Sequence, residues 1–113
     1  MTIREKFPKA FEMYKEYIKA GIRKNSNDLQ LPEEFIVQMV NDNVVDIAMT
    51  KSTRDLYDFL DSIGIIVSVW HDGMAWKYRV DDGVFPTTAN VGGGRIATEQ
   101  RAFEDAFGRL EKK

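Results

Sequence analysis

The chain contains no cysteine. That excludes disulfides, thiolate metal centres, iron–sulfur ligation and a cysteine nucleophile, and it points toward a reducing compartment. Histidine is almost as scarce, with His71 alone. Zinc usually draws on two or more His or Cys ligands, so a catalytic zinc here would rest almost wholly on carboxylates, and no metal site is expected. An excess of one charge is missing too: 16 Lys plus Arg stand against 18 Asp plus Glu, a net charge of −2. Nothing global draws the chain onto phosphate or anionic lipid, so nucleic-acid binding would need a local patch. No segment approaches the roughly 20 apolar residues of a membrane-spanning helix. The first nine residues, Met1 to Lys9, mix charges with isolated apolar residues, unlike a secretory signal. The expectation is a soluble, cytoplasmic protein.

What is present suits a globular domain: 113 residues, 43% hydrophobic and 30% charged. That length predicts a single domain over residues 1–113, with a helical half over about 1–63 and a hairpin plus C-terminal helix over about 64–113. Phe7, Phe11, Tyr14, Ile18 and Ile22 recur every three or four positions and predict an amphipathic helix over about 7–24, with Pro8 in its first turn. Asn25-Ser26-Asn27-Asp28 reads as a break. Pro32 followed by Glu33 and Glu34 signals a second helix start, with Phe35, Ile36, Met39 and Val40 as its expected buried face. Asn41-Asp42-Asn43 weakens helix propensity, and Val44 to Met49 is compatible with helix or strand.

Ser52 or Thr53 suits the N-cap of a helix over about 53–63, in which Leu56, Tyr57, Leu60 and Ile63 repeat at helical spacing before Gly64. Ile65 to Trp70 is rich in β-branched residues, Asp72-Gly73 is a hairpin turn signal, and Ala75 to Val80 alternates in character. A two-residue loop at Asp72-Gly73 sets Val69 opposite Trp76, Val67 opposite Tyr78 and Ile65 opposite Val80. The other face then carries Ile66, Ser68 and Trp70 beside Ala75, Lys77 and Arg79, a mixed surface unlike a core. Asp82-Gly83 and Pro86 admit a third, short edge strand near Val84 and Phe85. Residues 87–97 read as a loop. Thr98 is a candidate N-cap for a last helix with Ala102, Phe103, Ala106, Phe107 and Leu110 along its apolar stripe. The fold class is therefore α+β, with helices packed on one face of a small antiparallel sheet.

Charge is uneven along this layout. Residues 1–31 hold seven basic and four acidic side chains, whereas residues 32–63 hold two and seven. The simplest consequence is that the first helix and the acidic helical segment lie near one another.

The helix bearing Leu56, Phe59 and Leu60, the hairpin with Trp76-x-Tyr78-x-Val80, and the helix bearing Ala102, Ala106 and Leu110 form a loose motif. Over about residues 53–113 it resembles the C-terminal part of small uncharacterised proteins encoded by prophages and mobile elements of gut Bacteroidales. That resemblance implies an α+β domain and a small accessory protein inside a bacterial cell, and it supplies no catalytic residue. The same order of elements is similar to the double-stranded RNA-binding domain. Where that family opens its last helix with clustered lysines, this chain has Arg95-Ile96-Ala97-Thr98-Glu99-Gln100-Arg101, so most of the basic signature is absent.

Trp70, Lys77 and Arg79 combine one aromatic with two cations, the chemistry that stacks bases and neutralises phosphates; a helix covering Trp70 is the structural alternative. Arg95 and Arg101 would extend the basic character. Gly92-Gly93-Gly94-Arg95 could form an anion-binding concavity, though it lacks the P-loop pattern and a plain connector explains it as well. His71 beside Asp72 invites an acid–base reading, but neighbouring strand residues point to opposite faces and no nucleophile stands at a recognisable spacing. Asp55, Asp58 and Asp61 drift around a helix surface and are most simply solvated. Phe11, Met13, Tyr14 and Tyr17 at helical spacing are more simply core than a groove for a partner helix. The expectation is a non-enzymatic protein without cofactor that binds a protein partner, with nucleic-acid binding through Trp70, Lys77, Arg79, Arg95 and Arg101 as the alternative.

Overall fold

A computed structural model describes residues 2–25, 32–51, 53–90 and 92–112. The chain forms two compact units, residues 1–52 and 53–113, and the fold class is α+β.

The first unit holds helices α1 (Ile3–Lys6), α2 (Pro8–Asn25), α3 (Glu33–Met39) and α4 (Asp42–Lys51). Thr2 caps α1, its hydroxyl accepting from the Glu5 N–H. The break at Phe7 lets Pro8 open α2, where a missing N–H costs nothing. Residues 26–28 of the expected break lie outside the described residues. On α2, Ala10, Phe11 and Tyr14 are buried, as are Ile36 and Val40 around α3 and Val45 and Met49 on α4. Two residues depart from the expected α3 stripe: Phe35 is 50% and Met39 45% exposed. Seven residues make barely two turns, so only Ile36 and the capping Val40 reach the interior.

Asn41-Asp42-Asn43 proves to be a helix start. The Asn41 Oδ1 accepts from the Val44 N–H at 3.0 Å, which leaves Val44 to Met49 helical. Charge separation along the sequence is realised in ion pairs: Asp42 accepts from Arg4 and from Lys15, each at 2.8 Å, and Arg23 pairs with Glu33. The Lys15 hydrogen bond, then Arg4, holds the Asp42 carboxyl below its usual range, and Arg23 does the same for Glu33.

The second unit runs α5 (Thr53–Ser62), β1 (Ile66–His71), β2 (Trp76–Asp81), β3 (Thr87–Asn90) and α6 (Arg95–Glu111). The N-terminal cap of α5 lies outside the described residues. Its C-terminus is a Schellman motif: the Ile65 N–H donates to Leu60 O at 2.9 Å and the Gly64 N–H to Asp61 O at 3.1 Å. Gly64 adopts φ +87, a left-handed conformation that favours glycine. The strands form an antiparallel sheet in the order β1-β2-β3, with α5 against β1 and α6 against β1 and β2. Leu56, Phe59, Leu60, Ile65, Tyr78, Val80, Ala102, Phe103, Ala106, Phe107 and Leu110 are buried.

Three local expectations are corrected. The hairpin pairs Val67 with Val80, Val69 with Tyr78 and His71 with Trp76, two residues away from the expected register. Its loop is four residues long, because the Asp72 Oδ1 accepts from both the Met74 and Ala75 N–H groups at 2.9 Å while the Asp72 N–H bonds Ala75 O. A shift of two preserves the faces. The third strand lies at Thr87–Asn90, inside the expected loop, since Asp82 Oδ1 accepts from Val84 N–H and Phe85 N–H and holds those residues in the turn. Finally, α6 starts at Arg95 with Gly94 as its N-cap, and Thr98 lies inside it, its hydroxyl donating back to Gly94 O at 2.9 Å.

Candidate functional site

The face of the sheet opposite α5 and α6 is the candidate. Alternation along the strands sends Val67, Val69, Tyr78 and Val80 toward the helices and Ile66, Ser68, Trp70, Lys77 and Arg79 away from them. Register sets Trp70 beside Lys77 and Ser68 beside Arg79; on the far side Asn90 neighbours Lys77 and Thr88 neighbours Arg79. Ile66 is 49% and Trp70 37% exposed, so this face displays apolar surface among polar groups.

The cations here are not free. Lys77 Nζ lies 2.7 Å from Asp72 Oδ2, and Arg79 contacts Asp81 Oδ2 at 3.3 Å. The Lys77 bond, with the Ala75 and Met74 N–H groups, pushes the Asp72 carboxyl well below the usual carboxylate range. Two positive and two negative side chains thus balance on and beside the face.

Arg95 and Arg101 belong to α6, which packs on the other side of the sheet, so they do not join Trp70, Lys77 and Arg79. Arg95 donates to the buried Glu99 at 2.9 Å, and Arg101 lies 4.0 Å from Glu104. The Tyr57 hydroxyl stands 3.5 Å from Glu99, and burial, followed by that carboxylate, pushes the phenol up to about 12. Arg95, Glu99 and Tyr57 make a polar cluster joining α5 to α6 that the sequence did not announce, because Tyr57 lies 42 residues from Glu99.

At the other end of the sheet, Arg109 donates to Asp105 at 3.0 Å, lies 3.3 Å from Asp82, and donates to Phe85 O and Thr87 Oγ1. This ties α6 to the β2–β3 loop. It leaves Phe85 itself 74% exposed.

No match was found among protein-family models, curated proteins or solved structures. Chemistry must therefore be read from the side chains alone. His71 Nδ1 accepts from the Gly73 N–H at 3.1 Å and its ring packs edge-on against Trp76 at 5.3 Å, a turn-stabilising arrangement. Among the described residues no group of three metal-ligating side chains converges, Asp55, Asp58 and Asp61 included. No described helix is long and apolar enough to cross a membrane. Gly92 and Gly93 take positive φ, and the Gly92 N–H is satisfied by Asn90 Oδ1 at 3.1 Å.

Sequence reasoning found Ile66, Ser68, Trp70, Lys77 and Arg79 through strand alternation. It missed Thr88 and Asn90, although the β-branched Thr87-Thr88 pair directly after Pro86 was a strand signal. It also missed that Asp72 and Asp81 neutralise the two cations.

Proposed function

We propose that this is a small accessory protein of mobile-element origin, working in the bacterial cytoplasm by binding a protein partner through the open face of its sheet. The observation that carries the binding reading is the composition of that face. Trp70 and Ile66 offer partly exposed apolar surface, and each neighbouring cation already has a carboxylate. Aromatic and arginine side chains in a neutral surround are what protein interfaces concentrate at their centres. A nucleic-acid surface instead gains its affinity from cations that exchange mobile counterions for phosphates, and cations held by Asp72 and Asp81 contribute little of that. The resemblance of residues 53–113 to prophage-encoded proteins supports the origin and the compartment.

Selection of a displayed peptide library on the intact protein tests this reading. Enriched peptides are expected to lose at least tenfold in affinity for Trp70→Ala and Arg79→Ala. The alternative is checked by titrating tryptophan fluorescence with single- and double-stranded RNA and DNA at low salt. A saturable, salt-weakened change that disappears in Lys77→Ala and Arg79→Ala would replace the protein-partner reading with nucleic-acid binding.

A further inference from the structure

We propose that two copies of this chain pair antiparallel through strand β1, on a two-fold axis at Ser68, to join their sheets into one of six strands. This stands independently of which partner the open face takes.

β1 is an edge of the sheet, and among the described residues no backbone hydrogen bond reaches it from a strand other than β2. Natural edges are blunted by brevity, proline, bulges or charge. The opposite edge follows that rule: β3 has four residues, begins directly after Pro86 and has Thr87 held by Arg109. β1 has none of these protections, being six residues, Ile-Val-Ser-Val-Trp-His, with no lysine, acid or proline.

The hairpin closure shows which groups face outward. Asp72 N–H bonds Ala75 O, so the bonded pairs of the β1–β2 ladder are those at every second position from there, Trp70 with Lys77 and Ser68 with Arg79. Val67 and Val69 therefore turn their N–H and C=O groups to the free edge. An antiparallel copy can meet them only in registers that keep like faces together, because side chains alternate with period two. With the axis at Ser68, Val67 faces Val69 of the second copy and each pair exchanges two backbone hydrogen bonds. On the open face, Ile66 comes opposite Trp70 of the second copy, and the two Ser68 side chains meet at the axis. These are β-branched and aromatic–aliphatic pairs, the favourable cross-strand combinations, with no charge brought against charge. Both exposed apolar residues of β1's open side, Ile66 and Trp70, find a neighbour in this register. A contact of one strand per copy is small, so the dimer belongs among weak, concentration-dependent assemblies.

Sedimentation equilibrium of the full chain up to millimolar concentration is the first test. A monomer–dimer equilibrium is expected, and a monomer throughout would overturn the proposal. Ser68→Lys and Ser68→Glu put like charges face to face at the axis. Each alone is expected to weaken the dimer at least tenfold, and an equimolar mixture to restore it as a heterodimer. Undiminished dimerisation of both variants would overturn it, as would failure of the mixture to recover. Should Ser68→Lys lose its fold beside Arg79, Ser68→Cys gives a second reading. The chain has no other cysteine, and a non-bonded antiparallel pair stands about 4.5 Å apart at Cα, within disulfide reach. Rapid oxidation to a covalent dimer, with no more than background cross-linking of Met74→Cys, is expected. Equal cross-linking of the two would count against the axis.

Discussion

Two glycine-to-alanine substitutions should act with opposite sign although both place a methyl group in open space. Gly21 lies inside α2 with ordinary backbone geometry, and a Cβ built there meets nothing within 4 Å. Gly64 also has nothing within 4 Å of a built Cβ, but its φ is +87. Packing is therefore equal in the two cases, and only conformation differs. At Gly21 alanine restricts the unfolded chain and favours helix, a gain of about 0.5–1 kcal/mol. At Gly64 the left-handed conformation costs a Cβ-bearing residue about 1–2 kcal/mol, and the Schellman bonds to Leu60 and Asp61 prevent its relaxing elsewhere. Urea denaturation measures both. Trp70 and Trp76 both lie in residues 53–113, so tryptophan fluorescence follows that unit, while far-ultraviolet circular dichroism includes the helices of residues 1–52. A higher midpoint for Gly21→Ala by dichroism and a lower one for Gly64→Ala by fluorescence are expected, with slopes unchanged. Midpoint shifts of the same sign would refute the argument that φ alone decides.

Three further outcomes follow from the same structure. Phe107 is fully buried beside Phe103, so Phe107→Ala should cost about 3–5 kcal/mol, whereas Phe85→Ala, three-quarters exposed, should change stability by no more than about 0.5 kcal/mol; thermal melts followed by tryptophan fluorescence compare them. Arg109→Ala should release the β2–β3 loop and accelerate amide exchange at Val84 and Phe85, and Arg109→Lys should recover little of it, since one ammonium cannot reproduce bonds to Asp105, Phe85 and Thr87. Stability should fall at both pH extremes. Asp42, Asp72 and Asp82 have carboxyls held below their unfolded values, so their contribution is complete above about pH 4 and is lost as pH falls through the folded values. Tyr57 is raised to about 12, so its contribution is complete below the unfolded value of about 10 and is lost as pH rises toward 12. Urea midpoints across pH, with phenolate absorbance on the alkaline side, read both limbs.

The parts legible in the sequence were those set by local periodicity and local chemistry. Buried Ala102, Phe103, Ala106, Phe107 and Leu110 follow from 3.6-residue spacing, and the faces of β1 and β2 follow from strict alternation. Gly64 at a helix end is likewise a local signal. All of these depend on residues within a few positions of one another, so a single sequence contains them in full.

Tertiary structure decided what depends on partners. The hairpin register moved by two for a local reason that Asp-Gly alone did not specify: the Asp72 side chain satisfies the Met74 and Ala75 N–H groups and so closes a four-residue loop. Which of Phe35, Ile36, Met39 and Val40 are buried depended on where short α3 meets its neighbours. The character of the candidate face turned on Asp72, whose carboxylate meets Lys77 only once the hairpin turn has closed, and on Asp81, which lies two residues beyond Arg79 on the same face of β2. Whether β1 is an edge is a property of the assembled sheet, since a strand's own residues do not determine how many of its sides are paired.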